Sequence, residues 1–420
     1  MLPLDFIRKN PDAVKRAAEL KGEPAPIEEI LRLDGVWRGH LHKAETIRAE
    51  QNELSKEFAR TRDESLKERL RRMADAAKSD LAVADAVKRE LDDLLLRVPN
   101  VFHESVPIGK TEADNVVVRE WGTKPELEFA PRTHYDLGET LGIMDFERAA
   151  RVSGSRFAFL IGEGARLERA LVQFMLDVHT REHGYTEVWP PMLVNSAAMV
   201  GTANLPKFAD AAFKVEDRDL WLIPTAEVPI TNLHREEILD ADRLPLKYVA
   251  YAPSWRTEAG AAGKDTRGFI RLHQFSKVEL VKVTIAETSL EEFERLTQDA
   301  EDILQRLGLH YQVLAMCTGD MGFAQYKKYD LNAWAPGLDR YLEVSSCSTF
   351  NDFQAMRANI RYRPARGASP RFAHTINGSG LALTRTIDAI IERYQRSDGM
   401  ISVPDVLKPY MGGVELIGAR

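Results

Sequence analysis

A long stretch without proline constrains this chain more than any other feature of its sequence. From about residue 33 to residue 98 there is no proline, Gly35 and Gly39 are the only glycines, and Glu, Lys, Arg, Ala and Leu dominate. Apolar residues recur there every three or four positions, in runs on either side of the polar sequence "ARTRDES". This pattern predicts two long helices with a tight reversal at about Arg62 to Ser65, which is an antiparallel helical hairpin.

The hairpin is expected to project as an arm, because each helix of about 30 residues extends about 45 Å. One interpretation is a coiled coil that pairs two copies of the chain. The other is a nucleic-acid contact, since basic residues outnumber Asp63, Glu64 and Glu68 around the reversal: Arg60, Arg62, Lys67, Arg69, Arg71 and Arg72. A basic end on a chain of net charge −7 suits a phosphate backbone.

The composition narrows the class of protein. A chain of 420 residues with 44% hydrophobic and 29% charged residues is globular and large enough for two or three domains. Asp5 interrupts the apolar run that a secretory signal needs, and no later stretch has the apolar length of a membrane span. We therefore expect a cytoplasmic protein with no membrane partner. Two cysteines, and no histidine pair at the HExxH spacing, predict that no zinc is bound.

The chain beyond the arm is predicted to form an α+β domain. Residues 99–150 contain a linker with proline and glycine, followed by the strand-like "NVVVREW". Amphipathic helices are predicted at 166–183, 287–307 and 381–396. Between them lie short β-rich runs: "TEVWPPMLV", "LWLIPTAEVPI", "LKYVAYAPSW", "GFIRLHQFSKVELVKV" and "RYLEVSSCS". Many short strands interrupted by helices indicate an antiparallel sheet with helices packed on it.

The segment "SWRTEAGAAGKDTRGFIRLHQFSKVEL" combines many charges with small residues. Its "GAAGK" is not a phosphate loop, because that pattern needs four residues between the glycines and a Ser or Thr after the lysine, whereas Asp265 follows here. On an antiparallel hairpin, alternation directs Arg256, Glu258 and Phe275 to one face. Arg256 suits a phosphate and a carboxylate together, and Phe275 offers a ring for adenine. This predicts an ATP site on a sheet; for either half alone, a surface ion pair over a core phenylalanine is the alternative.

Three motifs, in order, resemble those of the class II aminoacyl-tRNA synthetases. "GYTEVWPPML", which contains Pro191, resembles motif 1, the dimer-interface motif of that class. "WRTE" and "RLHQF" together resemble motif 2. "NGSGLALTR", which ends in Arg385, resembles motif 3, whose arginine in that class binds the γ-phosphate of ATP.

Within that class, essentially the whole chain is similar to the bacterial seryl-tRNA synthetases. The similarity lies in "LDFIRKNPDAVK", "ELDDLLLRVPN", "IPTAEVP", "RTEAGAAGKDTRG", "TGDMGFAQYKKYDL", "EVSSCS", "DFQAMRANIRYR" and "NGSGLALTR". It implies a tRNA-binding domain at 1–100, whose arm at about 33–98 grips serine tRNA, and a class II catalytic domain at 101–420. It also implies a homodimer formed through the motif 1 region.

The resemblance also implies roles for individual residues. L-serine is expected to contact Thr225, Ala226, Glu227, Glu279 and Ser379. ATP is expected to contact Arg256, Thr257, Glu258, Arg271, Phe275, Glu343, Val344, Ser345, Ser346 and Arg385. Mg²⁺ bound with ATP is expected on Glu343, with Ser346 as a second candidate. The expected catalytic residues are Arg256, Arg385 and Glu279. Serine tRNA is expected to contact Arg60, Arg62, Lys67, Arg69, Arg71 and Arg72.

The implied reaction is the activation of L-serine with ATP to seryl-adenylate and its transfer to the 3′ end of serine tRNA, with selenocysteine tRNA left open as a further acceptor. A carrier-protein ligase would share only the second domain. A catalytically inactive tRNA-binding regulator would be expected to lack Arg256, Glu279 or Arg385, and a structural coiled coil would not need the rest of the chain. A specialised copy, such as an inhibitor-resistant synthetase, is left open by three departures from the family pattern: Asn332, Thr349 and Met356.

Overall fold

The computed structural model describes residues 1–259 and 268–418, so the "GAAGK" segment, at 260–264, lies outside the described residues. The chain divides into two compact units, Met1–Val101 and Phe102–Arg420. Within the described ranges, no helix is both long enough and apolar enough to cross a membrane.

The first unit is helical and contains the predicted hairpin. Its helices are α1 (Leu4–Lys9), α2 (Pro11–Leu20), α3 (Ile27–Thr61) and α4 (Glu64–Leu95). The 35 residues of α3 extend about 52 Å, and the helix begins six residues before its predicted start. The side chains buried between the two long helices are mostly small, which lets the helices pack closely: Ala44, Ala77, Ala84 and Leu91.

The reversal between α3 and α4 needs only two residues. Arg62 has a φ of 57°, in the left-handed region, and ends α3. Asp63 begins α4, and its side chain accepts a hydrogen bond from the Ser65 N–H at 2.9 Å. An aspartate at this position satisfies an N–H that the first turn of a helix leaves unpaired.

The second unit combines helices with an extended sheet. Its helices are α5 (His134–Thr140), α6 (Phe146–Ser153), α7 (Glu163–Arg181), α8 (Ser196–Gly201), α9 (Glu227–Thr231), α10 (Ser289–Arg306), α11 (Phe353–Ala358) and α12 (Leu383–Arg393). Its strands are β1 (Val116–Trp121), β2 (Met144–Asp145), β3 (Phe159–Leu160), β4 (Thr186–Glu187), β5 (Leu193–Val194), β6 (Trp221–Leu222), β7 (Ile238–Asp240), β8 (Leu246–Trp255), β9 (Gln274–Thr284), β10 (Tyr311–Ala315), β11 (Lys327–Ala335), β12 (Arg340–Thr349), β13 (Arg361–Arg363), β14 (Arg371–Phe372), β15 (His374–Ala382), β16 (Ile401–Ser402) and β17 (Leu416–Ile417). Helices α7, α10 and α12 match the three predicted helices.

An eight-stranded sheet forms the centre of this unit, in the order β1-β10-β11-β12-β15-β9-β8-β4. Neighbouring strands are antiparallel, apart from β4, which runs parallel to β8. Helices α7, α10 and α12 pack on the sheet through core residues such as Leu171, Phe293 and Ile387. The predicted α+β class, with an antiparallel sheet and a helical hairpin before it, is confirmed.

Three of the predicted β-rich runs are wrong in part. In "TEVWPPMLV" only the two ends form strands, β4 and β5. In "LWLIPTAEVPI" only β6 is a strand, and Glu227–Thr231 forms α9. The β-branched residues favour a strand, but Val228 and Ile230 are buried in the core as part of a helix, and its first turn tolerates Pro229. In "GFIRLHQFSKVELVKV", β9 begins only at Gln274, so the first half of this run lies outside the strand.

Candidate active site

A cavity of about 340 Å³ in the second unit gathers most of the predicted site residues. They come from segments that are far apart in the sequence: Thr225, Glu227, Arg256, Glu258, Arg271, Phe275, Glu343, Val344, Ser345, Ser346, Ser379 and Arg385. A sheet brings them together because β9, β12 and β15 are neighbours in it, and α12 begins directly after β15.

Arg256 and Phe275 meet in the wall of this cavity. The guanidinium of Arg256 lies over the Phe275 ring, 5.0 Å from its centroid, and its Nε donates to the Pro224 carbonyl at 3.2 Å. The ring attracts the cation, so the two contacts together fix the direction of the guanidinium.

Strand alternation was predicted to place Arg256, Glu258 and Phe275 together, but the structure positions most of them outside the strands. β8 ends at Trp255, Glu258 has a φ of 51° in the left-handed region, and Arg271 precedes β9. Strand geometry therefore accounts for Phe275 alone. Arg271 Nη1 donates to Glu258 Oε2 at 2.7 Å, and this ion pair joins the two chain segments on either side of residues 260–267.

Arg385 lies in the first turn of α12, where two carbonyl groups orient it. Its Nε donates to the Ile270 carbonyl at 3.0 Å and its Nη1 to the Glu343 carbonyl at 2.9 Å. Arg385 Nη1 also lies 3.5 Å from Glu343 Oε2. Desolvation in the cavity raises the pKa of Glu343, but the charges of Arg385 and Lys328 outweigh it and lower this pKa below its ordinary value. Glu343 is therefore held as a carboxylate.

Glu279, on β9, is fully buried beside the cavity, where polar neighbours surround its carboxylate. Thr225 Oγ1 donates to one oxygen at 3.2 Å and Asn377 Nδ2 to the other at 3.0 Å. Lys277 pairs with the same carboxylate, and its Nζ donates to Thr225 Oγ1 at 2.9 Å. A buried carboxylate in these surroundings is a natural partner for an ammonium group or a hydroxyl group.

Glu227 contributes a second carboxyl group to the cavity. Gln354 Nε2 donates to Glu227 Oε1 at 2.6 Å, and the Thr375 hydroxyl donates to Gln354 Oε1 at 2.7 Å, which fixes the amide. Burial and the negative charge of Glu279 raise the pKa of Glu227 to about 7. A positively charged ligand between the two carboxyl groups would favour ionisation of both.

Ala226 and Thr257, also predicted in the site, do not line the cavity. Ala226 is fully buried in a separate apolar cluster beneath α9. The Thr257 hydroxyl donates to the Asp210 carbonyl at 2.6 Å, and its N–H donates to the Ala211 carbonyl at 3.0 Å. Thr257 therefore links the end of β8 to the backbone at Asp210 and Ala211.

Several residues that line the cavity were not predicted from the sequence: Ile270, Leu272, Lys277, Gln325, Lys328, Ser348, Asn377, Ala382 and Thr384. For Lys277 a signal existed, because on a strand it shares a face with Phe275 and Glu279. Lys328 and Asn377 lie in the segments "TGDMGFAQYKKYDL" and "NGSGLALTR", but their place in the cavity depends on the pairing of distant strands.

The residues expected for Mg²⁺ fit a metal that arrives with a nucleotide. Glu343 supplies one ionised carboxylate, and Ser346, which lies opposite Asp330 in the β11–β12 pairing, supplies a hydroxyl. Mg²⁺ prefers oxygen ligands and commonly takes one or two from the protein and the rest from phosphates and water. Within residues 1–259 and 268–418, no group of three or more His, Cys, Asp or Glu side chains is arranged to bind a metal by itself.

In the first unit, the basic residues predicted to contact tRNA are all exposed at the end of the hairpin: Arg60, Arg62, Lys67, Arg69, Arg71 and Arg72. Two of them form ion pairs along α4, Lys67 with Glu64 at 3.5 Å and Arg72 with Glu68 at 3.1 Å. Exposed pairs of this kind are weak and can exchange for phosphate contacts.

Two family models match the chain. Residues 1–102 match the seryl-tRNA synthetase N-terminal domain, and residues 213–394 match the tRNA synthetase class II core domain (G, H, P, S and T). The chain is 52% identical to a serine–tRNA ligase of Caldanaerobacter subterraneus, over 98% of each protein. It is 51% identical to that of Desulforamulus reducens, over 99% of this chain and all of the relative.

Solved structures agree with these relatives. A seryl-tRNA synthetase from Pyrococcus horikoshii, solved with ATP, is 40% identical and superposes with a TM-score of 0.95 over 99% of both chains. A cytoplasmic serine–tRNA ligase from Naegleria fowleri, solved with AMP, is 32% identical and gives a TM-score of 0.89 over 99% of this chain and 98% of its own. With this identity along the full length and the cavity described above, the chain belongs to the seryl-tRNA synthetase family.

Proposed function

We propose that this chain activates L-serine with ATP to seryl-adenylate and transfers the seryl group to the 3′ end of serine tRNA. One observation carries the proposal. A single cavity is lined by Arg256 and Arg385, whose guanidinium groups suit phosphates, and by Glu227, whose carboxyl group suits an amino group. The buried Glu279 lies beside this cavity and accepts a hydrogen bond from Thr225 in its wall. The curated relatives above act on serine and tRNA, and the relative from P. horikoshii binds ATP.

In the first step, a carboxylate oxygen of serine forms a bond to the α-phosphorus of ATP while the bond from that phosphorus to pyrophosphate breaks. The attacking group is already ionised, so no protein base is needed. Arg256, directed by Pro224 and Phe275, stabilises the charge that develops on the α-phosphate, and Arg385 holds the leaving phosphates. Mg²⁺, when bound with ATP, neutralises phosphate charge, and Glu343 and Ser346 are the residues that would hold it.

Serine would bind at the end of the cavity that lies nearest the carboxyl groups of Glu227 and Glu279. Glu279 and Glu227 receive its ammonium or hydroxyl group, and Thr225 and Ser379 complete the pocket. A site that hydrogen-bonds the substrate's hydroxyl group rejects analogues without it, because its polar groups would then be unpaired. In the second step a hydroxyl group of the terminal ribose of tRNA takes the seryl group, and AMP leaves.

The domain at 1–100 would bind the tRNA through its arm, and the domain at 101–420 would catalyse both steps. The six exposed basic residues at the end of the hairpin are the proposed phosphate contacts. We also propose that the protein acts as a homodimer formed through the motif 1 segment around Pro191, and that it works in the cytoplasm.

The test is the charging of bacterial total tRNA with radiolabelled serine, compared with serine-dependent exchange of pyrophosphate into ATP. The control is a shortened arm. His40 lies opposite Asp80, and Gln51 opposite Leu70, so replacing residues 46–74 with a glycine loop preserves the register of the remaining hairpin. We expect the shortened protein to retain exchange and to lose most tRNA charging.

Other outcomes would change the proposal. Serine-dependent exchange without tRNA charging by the intact chain would indicate a carrier-protein ligase or another specialised copy. No exchange with serine would disprove the assignment of the pocket. Of the three departures from the family pattern, Thr349 and Met356 do not line this cavity. Asn332, which pairs with Glu343 between β11 and β12, lines an adjoining cavity of about 500 Å³ that also contains Arg271 and Arg385.

A further inference from the structure

A buried cluster of three ionisable side chains lies beside the segment that leads to Arg271. His134, in the first turn of α5, and Asp388 and Glu392, on α12, are each completely buried. His134 Nδ1 lies 2.7 Å from Glu392 Oε1, and His134 Nε2 lies 3.5 Å from Asp388 Oδ1. Burying ionisable groups costs free energy, so a buried cluster of three is a candidate for a functional role.

The side chain of Glu392 is held firmly in place, because its carboxylate accepts four hydrogen bonds. Oε1 accepts from the His134 N–H at 3.0 Å and from His134 Nδ1, and Oε2 accepts from the N–H groups of Gly337 and Leu338 at 2.8 and 3.1 Å. A carboxylate can only accept, so the proton of the imidazole is on Nδ1. Nε2 is then able to accept, and the Phe269 N–H donates to it at 3.4 Å.

The backbone at Gly268 lies directly against this imidazole. Gly268 has a φ of 77°, and a Cβ there would overlap His134 Nε2 and lie 2.9 Å from Tyr135 Cδ1. Only glycine permits both the conformation and the close approach. The Phe269 ring packs edge-on against Phe146, with centroids 5.8 Å apart.

The same segment continues into the phosphate-binding side of the cavity. The Ile270 carbonyl accepts from Arg385 Nε, and Arg271 forms the ion pair with Glu258. Arg385, Asp388 and Glu392 are spaced by three and four residues on α12, so they lie along one side of that helix. One side of α12 therefore holds the segment at two points, through His134 and through Arg385.

We propose that His134 is a positioning residue for the ATP reaction. Fixed by its hydrogen bond to Glu392, it holds Gly268–Arg271 against α12 and so sets the spacing between Arg271 and Arg385. Glu392 extends the same support to the turn before β12, the strand that carries Glu343. This inference rests on the proposed function, which gives Arg271, Arg385 and Glu343 their roles towards ATP.

The test compares the KM for ATP with the KM for serine in pyrophosphate exchange. His134→Asn retains an N–H donor for Glu392 but removes the acceptor for Phe269. We expect it to raise the KM for ATP at least about tenfold, because a misplacement of about 1 Å costs up to about 100-fold, and to leave the KM for serine within about twofold. His183→Asn is the matched control, since it also removes a histidine that contacts a carboxylate, Asp302 at 3.1 Å, in the same unit.

A purely structural role for His134 would reduce the fraction of active enzyme, lowering kcat with both KM values unchanged, and that result would overturn the proposal. If His134→Asn does not fold, Gly268→Ala carries the test. It pushes the segment away from the imidazole and is also expected to raise the KM for ATP alone. Gly367→Ala is its control, because Gly367 has a φ of 83° and no atom within 4 Å of its Cβ position.

Different results would contradict the proposed function and the role of His134. Absence of serine-dependent exchange in the unmodified chain would contradict the proposed function. Normal exchange in the unmodified chain, with an unchanged KM for ATP in whichever of the two variants folds, would contradict the role of His134 alone.

Discussion

The pH of the solution should control the binding of serine through the ionisation of Glu227. Its pKa of about 7 results first from burial and then from the neighbouring charge of Glu279. The ordinary pKa of a glutamate is 4.5. Because the pKa of Glu227 is raised, in the free protein its side chain is neutral below about pH 7 and becomes charged as the pH rises through 7. The ammonium group of an amino acid needs the charged form.

We therefore expect kcat/KM for serine, measured by pyrophosphate exchange, to fall by up to about tenfold for each pH unit below about 7. Glu227→Gln should lower the value at pH 8 by about 10- to 100-fold, the effect of losing a hydrogen bond to a charged group, and should flatten the profile. The profile of kcat/KM for ATP at saturating serine is the internal control. An equally steep serine profile in the Gln variant would show that another group is responsible.

The residues of the site are of two kinds, those that the sequence indicates and those that only the fold brings into place. Residues in recognisable motifs, such as Arg256 and Arg385, were found from the sequence. Gln354, which holds Glu227, was not, although it lies in the family segment "DFQAMRANIRYR", because no local pattern indicates a hydrogen bond to a side chain 127 residues away. Such hydrogen bonds depend on how the sheet and its helices pack, which local sequence does not encode.

At the scale of elements, the turn of the arm can be tested apart from its charge. Asp63 is the N-cap of α4, so Asp63→Ala should destabilise the end of the hairpin by about 1 kcal/mol. Amide hydrogen exchange around the turn should then be about fivefold faster, with the second unit unaffected. Asp75→Ala, at an exposed position within α4, is the control. Equal exchange rates in the two variants would mean that the cap does not hold the turn.

The basic end of the arm leads to a second prediction for the same element. Replacing Arg69, Arg71 and Arg72 with serine should weaken tRNA binding and reduce its dependence on salt. The slope of log K against log salt should decrease by about 0.9 for each phosphate that the variant no longer neutralises. Lys43 and Arg89, exposed on the same two helices but nearer the base, are the control positions. Pyrophosphate exchange should not change, and an unaltered salt slope would place the tRNA-binding residues elsewhere.

The accuracy of prediction also varied between elements for physical reasons. The long helices and β8 were predicted well, because composition and periodicity agree over many residues in each. The short helix α9 was predicted as a strand, since five residues are too few to establish a helical period and Val228 and Ile230 favour strands. Its form is determined by packing in the core.

At the scale of the molecule, the class and the antiparallel sheet could be predicted from the sequence, whereas the support behind the site could not. His134 and Glu392 are separated by 258 residues and meet only in the folded chain. The motifs therefore indicate which groups touch the substrates, and the structure is needed to find the groups that hold them in place.

The proposed dimer can be tested at Trp189. Trp189 follows β4, an edge strand of the large sheet, and its residue is 87% exposed. A solvent-exposed indole beside an unpaired strand edge is typical of a surface that a partner covers. Its position within the motif 1 segment, two residues before Pro191, supports a second copy of the chain as that partner.

We expect the unmodified protein to sediment as a dimer and Trp189→Glu to weaken dimerisation by about 2 kcal/mol or more, the usual effect of losing a buried interface tryptophan. Val118→Glu is the matched control, because Val118 is an exposed apolar residue on β1, at the opposite edge of the same sheet. It should leave the dimer intact. If Trp189→Glu remains dimeric at every concentration at which Val118→Glu does, the motif 1 segment does not form the interface.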